Sequence, residues 1–227
     1  MPNASREAQA AIVSFCEECS RGLEPLTSHR AKIDLVRTRL PRLLLDRGLC
    51  AALLSGMLNG SGYPDSRRPT MFDNEVPLYL HPEGLFSLRM YLWGPGEYTY
   101  PHDHNAWGVI GTALPGYEVI NFRRLDDESR EGFAQLEEIE RLHLGPGETA
   151  YTLPFSNGIH QTGNAGKECL LTLHFYGKSL PRGYLNGYEP SRNRVYRMYP
   201  PRQKKELLGR QVLARLRKTP DRPGSSE

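Results

Sequence analysis

Several features are missing from this sequence, and each absence excludes something. No apolar run approaches the ~18 residues needed to cross a bilayer, so no membrane span is expected. Four cysteines in 227 residues are too few for a disulfide framework. Charge of one sign is also lacking. Lys and Arg number 29 and Asp and Glu 26, a formal net charge of +3, which is too small to imply a nucleic-acid or membrane partner. The opening residues, MPNASREAQAAIVSF, show no basic stretch followed by an apolar one, so no secretory signal is expected. The expectation is a cytoplasmic protein with free thiols, long enough for one domain with a proper core plus decorations.

Turning to what is present, residues 5–57 read as helices. Ile12, Phe15, Cys16, Cys19 and Leu23 recur at helical spacing, as do Ile33, Val36, Leu40 and Leu43. Pro41 interrupts the second pattern and is expected to begin a new helix. Residues 58–75 are rich in turn formers and read as a connection. From 76 to 177 short runs such as FSLRMYLW, YEVINF, ETAYTL and CLLTLHFY alternate with Gly/Pro turns, the signature of an all-β barrel or sandwich. Past 178 the chain reads as irregular, then as a short basic amphipathic helix over 202–218, then as a disordered tail over 219–227. The organisation expected is a helical segment at 1–75, a barrel at 76–178, an extension at 179–218 and the tail.

The stretch TYPHDHNAWGVIG, residues 99–111, carries His102 and His104 on either side of Asp103. Residues two apart on a strand point the same way, so both imidazoles can reach one ion. Two surface histidines explain a bare H-x-H equally well. Gly94-Pro95-Gly96 leads into this stretch, and PFSNGIHQTGN later places His160 four residues before Asn164.

The pattern G-x5-H-x-H followed by H-x3-N resembles the two motifs of the cupin superfamily, double-stranded β-helix barrels with an internal metal. The resemblance implies a mainly β protein of that architecture, with the helical segments as additions. The glutamate usual in the first cupin motif is absent, because residues 105–109 hold no carboxylate. The implied ligands are therefore three neutral histidines, His102, His104 and His160, and imidazole alone suits Zn, Cu, Fe or Ni. The run FSLRMYLWGPGEYTYPHDHNAWGVIG further resembles the thiol dioxygenase branch, cysteine and 3-mercaptopropionate dioxygenases. With Gly108 at the position of the cupin glutamate, it resembles the bacterial type, and no Cys–Tyr crosslink is expected.

That resemblance implies mononuclear Fe(II), a small-molecule thiol and O2 as reactants, and a sulfinate product. It implies no nucleic acid or membrane partner and a monomer or homodimer. The family's Ser-x-His-x-Tyr strand is matched by Thr172, His174 and Tyr176, which share one strand face and are the expected catalytic row. The family's Arg or Gln carboxylate anchor is missing from Val76–His81, and within Val76–Leu80 Tyr79 offers the polar side chain. Arg89 shares parity with Tyr91 and Trp93, so alternation aims it at the cavity, and its guanidinium suits a carboxylate. Arg89, Tyr91, Trp93 and Tyr79 are thus the expected substrate contacts. The alternatives are a metal-binding or sensor cupin without catalysis, and a cupin enzyme with another metal and substrate. Cys16 and Cys19 lack a second pair and are expected in the core. Gly145-Pro-Gly147 is not followed by G-K-[ST] and reads as a strand turn.

Overall fold

The computed structural model describes residues 2–60 and 62–218; the tail at 219–227 lies outside the described residues. Four helices come first: α1 (Pro2–Leu23), α2 (His29–Arg39), α3 (Pro41–Leu44) and α4 (Arg47–Leu58). Local chemistry sets their starts. Ser28 Oγ accepts from Ala31 N at 3.2 Å, and Asp46 Oδ1 accepts from Leu49 N at 2.9 Å, each satisfying an amide that the first helical turn leaves open. Pro41 begins α3, where its missing N–H costs nothing. The stripe Ile12, Phe15, Cys16 and Cys19 is buried, and burial raises the pKa of both thiols, as befits core residues.

Ten strands follow: β1 (Glu75–Leu80), β2 (Phe86–Trp93), β3 (Gly108–Thr112), β4 (Tyr117–Arg124), β5 (Leu136–Leu144), β6 (Thr149–Thr152), β7 (Ile159–Asn164), β8 (Leu170–Gly177), β9 (Leu185–Glu189) and β10 (Arg194–Met198). One sheet has the order β1-β2-β8-β3-β6 and a second the order β5-β4-β7. Bridges Tyr98↔Gly163 and His102↔His160 lay residues 98–102 beside β7 as a further edge of the second sheet. Between β2 and β8 the chain passes back and forth between two antiparallel sheets, with β4 and β5 staying together in the second as a hairpin. This is the double-stranded β-helix of the cupin fold.

Alternation in the first sheet separates two environments. Leu88 and Met90 of β2 and Leu171, Leu173 and Phe175 of β8 join the helical side chains in one apolar cluster. Gly111 of β3 faces this cluster, and a Cβ there would come within 2.6 Å of Leu44 Cδ1, so the close seat of α3 excludes a side chain. The opposite parity, Arg89, Tyr91 and Trp93 with Thr172, His174 and Tyr176, faces the barrel interior, where β2 and β8 pair in register.

One strand has no run in the sequence to mark it, and one expectation changes. β5, reading LEEIERLHL, has no apolar alternation to reveal it, because it is an edge strand whose residues are mostly exposed. The segment past 178 is not irregular throughout. β9 and β10 form a hairpin whose Gly187 bridges His102. α5 (Pro201–Lys218) forms the expected basic helix, with residues 201–214 exposed. Among the described residues no helix is long and apolar enough to cross a membrane.

Candidate metal centre and cavity

His102, His104 and His160 are buried, and their ligand nitrogens all lie within 4.8 Å of one another. Backbone pairing brings them together. His102 N donates to His160 O at 2.9 Å and His160 N to His102 O at 3.0 Å, while Phe155 N donates to His104 O at 2.8 Å. His102 Nδ1 lies 2.8 Å from Tyr100 O. A carbonyl only accepts, so Nδ1 carries the proton and Nε2 keeps its lone pair, the usual arrangement for a ligating histidine. The Nε2 atoms of His104 and His160 face each other at 2.9 Å.

Burial, the main cause, holds the pKa of His102 below the ordinary 6.5 and those of His104 and His160 well below it. Three neutral imidazoles converging on one point fit a divalent transition metal. His160 Nδ1 is buried without a hydrogen-bond partner, so this histidine lacks the outer support that His102 has.

Asp103 holds the H-x-H segment from behind. It is buried, as sequence parity alone does not reveal. Its carboxylate accepts from Arg182 Nη1 at 2.8 Å and Nη2 at 2.5 Å, and from Asn186 N at 2.8 Å and Nδ2 at 3.0 Å. Arg182 also donates to Asn105 Oδ1 at 2.6 Å. The extension after β8 is thus clamped onto the residue between two metal-site histidines. No sequence pattern marks Arg182 or Asn186, since the pairing spans some 80 residues.

A hydrogen-bonded row runs up β8 to the same place. Trp93 Nε1 donates to Thr172 Oγ1 at 3.0 Å, Thr172 Oγ1 lies 3.0 Å from His174 Nε2, and His174 Nδ1 lies 3.0 Å from Tyr176 Oη. Indole N–H can only donate, so Thr172 Oγ1 accepts from Trp93. The His174 tautomer sets the direction of the other two contacts: with the proton on Nδ1, Thr172 donates to Nε2 and Nδ1–H donates to the phenol oxygen; with it on Nε2, both reverse. Tyr117 Oη, 3.3 Å from His174 Nε2, adds a second hydroxyl there. Burial lowers the His174 pKa and raises that of Tyr176, so both are neutral near pH 7. The Tyr176 ring stacks on His104 with centroids 5.1 Å apart. It also lies over Gly108, where an added Cβ would meet its Cδ1 at 2.6 Å.

A cavity of about 230 Å³ opens beside His104, with Glu75, Arg89, Tyr91, Tyr176 and Arg182 in its wall. Larger grooves of about 850 and 730 Å³ include none of the three histidines.

Arg89 does face this cavity, but it is already paired. Its Nη1 donates to Glu75 Oε1 at 2.5 Å and its Nε to Ser87 Oγ at 3.1 Å. Glu75, the partner of the expected anchor Arg89, lies just outside the segment Val76–His81. Trp93, expected at the substrate, is outside the cavity wall and packs against Tyr91 and Tyr117. Tyr79, also expected there, stacks on Phe86 at 5.7 Å and packs against the helix-side cluster. A register shift between Pro77 and Tyr79 carries it to that side. Tyr91 lines the cavity, and its ring lies 4.2 Å from that of His174.

No family model matches the chain. Among solved structures, it is similar to the DMSP lyase DddQ from Ruegeria pomeroyi DSS-3, with 16% identity over 44% of this chain, 41% of that one and a TM-score of 0.32. The match therefore spans about two fifths of the lyase. It is similar to the polyketide cyclase RemF from Streptomyces resistomycificus, with 19% identity over 56% of this chain, 79% of that one and a TM-score of 0.35. It is also similar to the Cupin_2 domain of an XRE family transcriptional regulator from Enterobacter cloacae, with 14% identity over 48% of this chain, 96% of that one and a TM-score of 0.32. Likenesses this remote carry no argument about activity. By its own strand order the chain has the cupin fold.

Proposed function

We propose that this protein is a mononuclear non-haem iron thiol dioxygenase that oxidises a small thiol to a sulfinate. The overall change balances as RSH + O2 → RSO2H, in which sulfur is oxidised and both oxygen atoms are transferred to it. The observation that carries this reading is the hydrogen-bonded row Trp93–Thr172–His174–Tyr176, which ends beside three histidines with no carboxylate among them. A metal held only for structure has no need of such a row.

His102, His104 and His160 would hold the iron, which when bound favours the thiolate form of a substrate and brings O2 into reach. The remaining work belongs to the chain. Asp103 and Arg182 fix the backbone on which His102 and His104 sit. His174 holds the Tyr176 phenol in place, and with its proton on Nδ1 it leaves the phenol hydrogen free to donate toward the cavity. Tyr91 and Tyr176 supply aromatic walls that limit water. No residue need act as a carboxylate base, which agrees with the absence of one at positions 105–109.

The test is O2 uptake by the iron-loaded protein against a panel of small thiols, with product analysis. Sulfinate formed in proportion to O2 consumed supports the reading. A protein that binds iron but consumes no O2 with any thiol would leave the second reading, a metal-binding or sensor cupin.

A further inference from the structure

The net charge of +3 conceals a separation of charge along the chain. Residues 1–177 hold 16 Lys or Arg against 22 Asp or Glu, whereas residues 178–218 hold 12 against 2. The basic part ends in α5, whose residues 201–214 are all exposed. Leu207, Leu208, Val212 and Leu213 are among them, between 36% and 55% exposed. Leu208 and Val212 lie one turn apart on one face, with Lys204 one turn before them. Arg202 pairs with Glu206, but Lys204, Lys205 and Arg210 have no carboxylate partner among the described residues. A helix of 18 residues that packs on nothing is marginal in water, so α5 stands to gain from a partner.

The complementary surface lies on the same chain. The groove of about 850 Å³ is lined by the sheet edges β5 and β6, with Phe122, Ile139, Leu142, Leu153 and Ile159 in its apolar part. Ile139 is 56% exposed. Glu140 and Glu148 line the same groove. Glu140 accepts from Asn121 Nδ2 and Glu148 from the Gly145 amide, each at 2.7 Å, and neither has a cationic partner among the described residues. Arg37, also in this wall, lies over the Tyr151 ring. α5 does not cover the groove of its own chain. Its root, Pro200 to Gln203, shares a different groove with Pro77 and Leu80 of β1, and β1 and β6 are opposite edges of the five-stranded sheet.

We propose that the groove between β5 and β6 seats α5 of a second copy of this chain, in a two-fold dimer in which each copy gives its helix and receives the other's. Leu208 and Val212 are the apolar anchors, at the i and i+4 spacing by which helices dock in grooves. Lys204 and Lys205 bring unpaired cations to the unpaired carboxylates of Glu140 and Glu148. The two-fold axis makes every contact twice, which brings a short helix closer to the area a stable dimer needs. This assignment is independent of the reaction at the three histidines.

The experiment is sedimentation velocity of the full-length, metal-loaded protein across a dilution series, with circular dichroism to check the fold of each variant. The expected result is a monomer–dimer equilibrium that shifts toward monomer as salt is raised. L208E should raise the dimer dissociation constant by about 10- to 100-fold. K204E/K205E and E140K/E148K should each raise it by about 10-fold, and the four changes together should restore most of the loss. A protein that is monomeric at every concentration overturns the assignment, as does a dimer that ignores L208E or a charge-swapped protein no better than either half. L208E changes an exposed residue, so it decides the matter even if E148K disturbs its turn. A monomer captured by phosphatidylserine vesicles would assign α5 to an anionic lipid surface and overturn the dimer.

Discussion

The ring of Tyr176 occupies the space that a side chain at position 108 would fill. Gly108 and Tyr176 are paired across β3 and β8, and an added Cβ would come 2.6 Å from Cδ1 and 2.8 Å from Cε1 of the ring. The glycine is therefore the condition for the phenol to lie against His104. Gly108→Ala should push the ring aside while leaving the three histidines in place. Metal content should stay at the wild-type level and turnover at saturating thiol should fall by about 10- to 100-fold. Unchanged turnover would show that the position of Tyr176 is incidental.

Tyr176→Phe removes the last donor of the row without altering its packing. Equimolar iron should be retained, with turnover reduced by about 10- to 100-fold. His160→Ala should instead abolish stoichiometric iron. Metal analysis of the two purified variants separates the roles, and a Phe variant that loses iron, or an Ala variant that keeps it, would reverse them.

The row also contributes to stability. Thr172→Val keeps the shape but leaves Trp93 Nε1 without its acceptor and His174 Nε2 with only the longer contact to Tyr117. The expected loss is about 1–3 kcal/mol in denaturant unfolding. Asp103→Ala removes a buried carboxylate and strips the half-buried Arg182 guanidinium of its ion-pair partner, and should cost about 2–4 kcal/mol. A loss below that of an ordinary surface substitution would mean that Arg182 finds solvent and the clamp is dispensable.

Much of the site was legible because strand parity is strict. His102 with His104, and Thr172 with His174 and Tyr176, share faces that alternation alone predicts, and the paired register of β2 and β8 meets that prediction. Arg89 likewise lies in the cavity wall, on the side that alternation gives it. What alternation cannot supply is the partner a side chain meets across the barrel. Glu75 lies one residue before the segment in which an anchor was sought, and Arg182 lies in a segment that reads as irregular. Tyr79, expected at the substrate only as the polar side chain of its segment, packs on the helix side, and a register shift after Pro77 accompanies that placement. Asp103 shows the same limit. Its parity sets it opposite the histidines, but only the hairpin β9–β10 and the segment before it make that side buried.

Acid should destabilise the metal-free protein through the same histidines. His102, His104, His160 and His174 all have pKa values held below the ordinary 6.5, with burial as the main cause. Unfolded, they take up protons near that value; folded, they do not. Their contribution is therefore fully present above about pH 6.5 and is lost as pH falls below it. The Tm of metal-free protein should drop between about pH 7.5 and pH 5.5, and a Tm that rises over that interval would contradict the neutral, buried state of the cluster.

The most direct test of the central claim is the fate of isotopically labelled O2. Iron-loaded protein is given a small thiol under labelled O2, and the product is weighed by mass spectrometry. The account predicts a sulfinate with both oxygen atoms labelled. A disulfide, a singly labelled product, or unaltered thiol in a protein that holds its iron would contradict it.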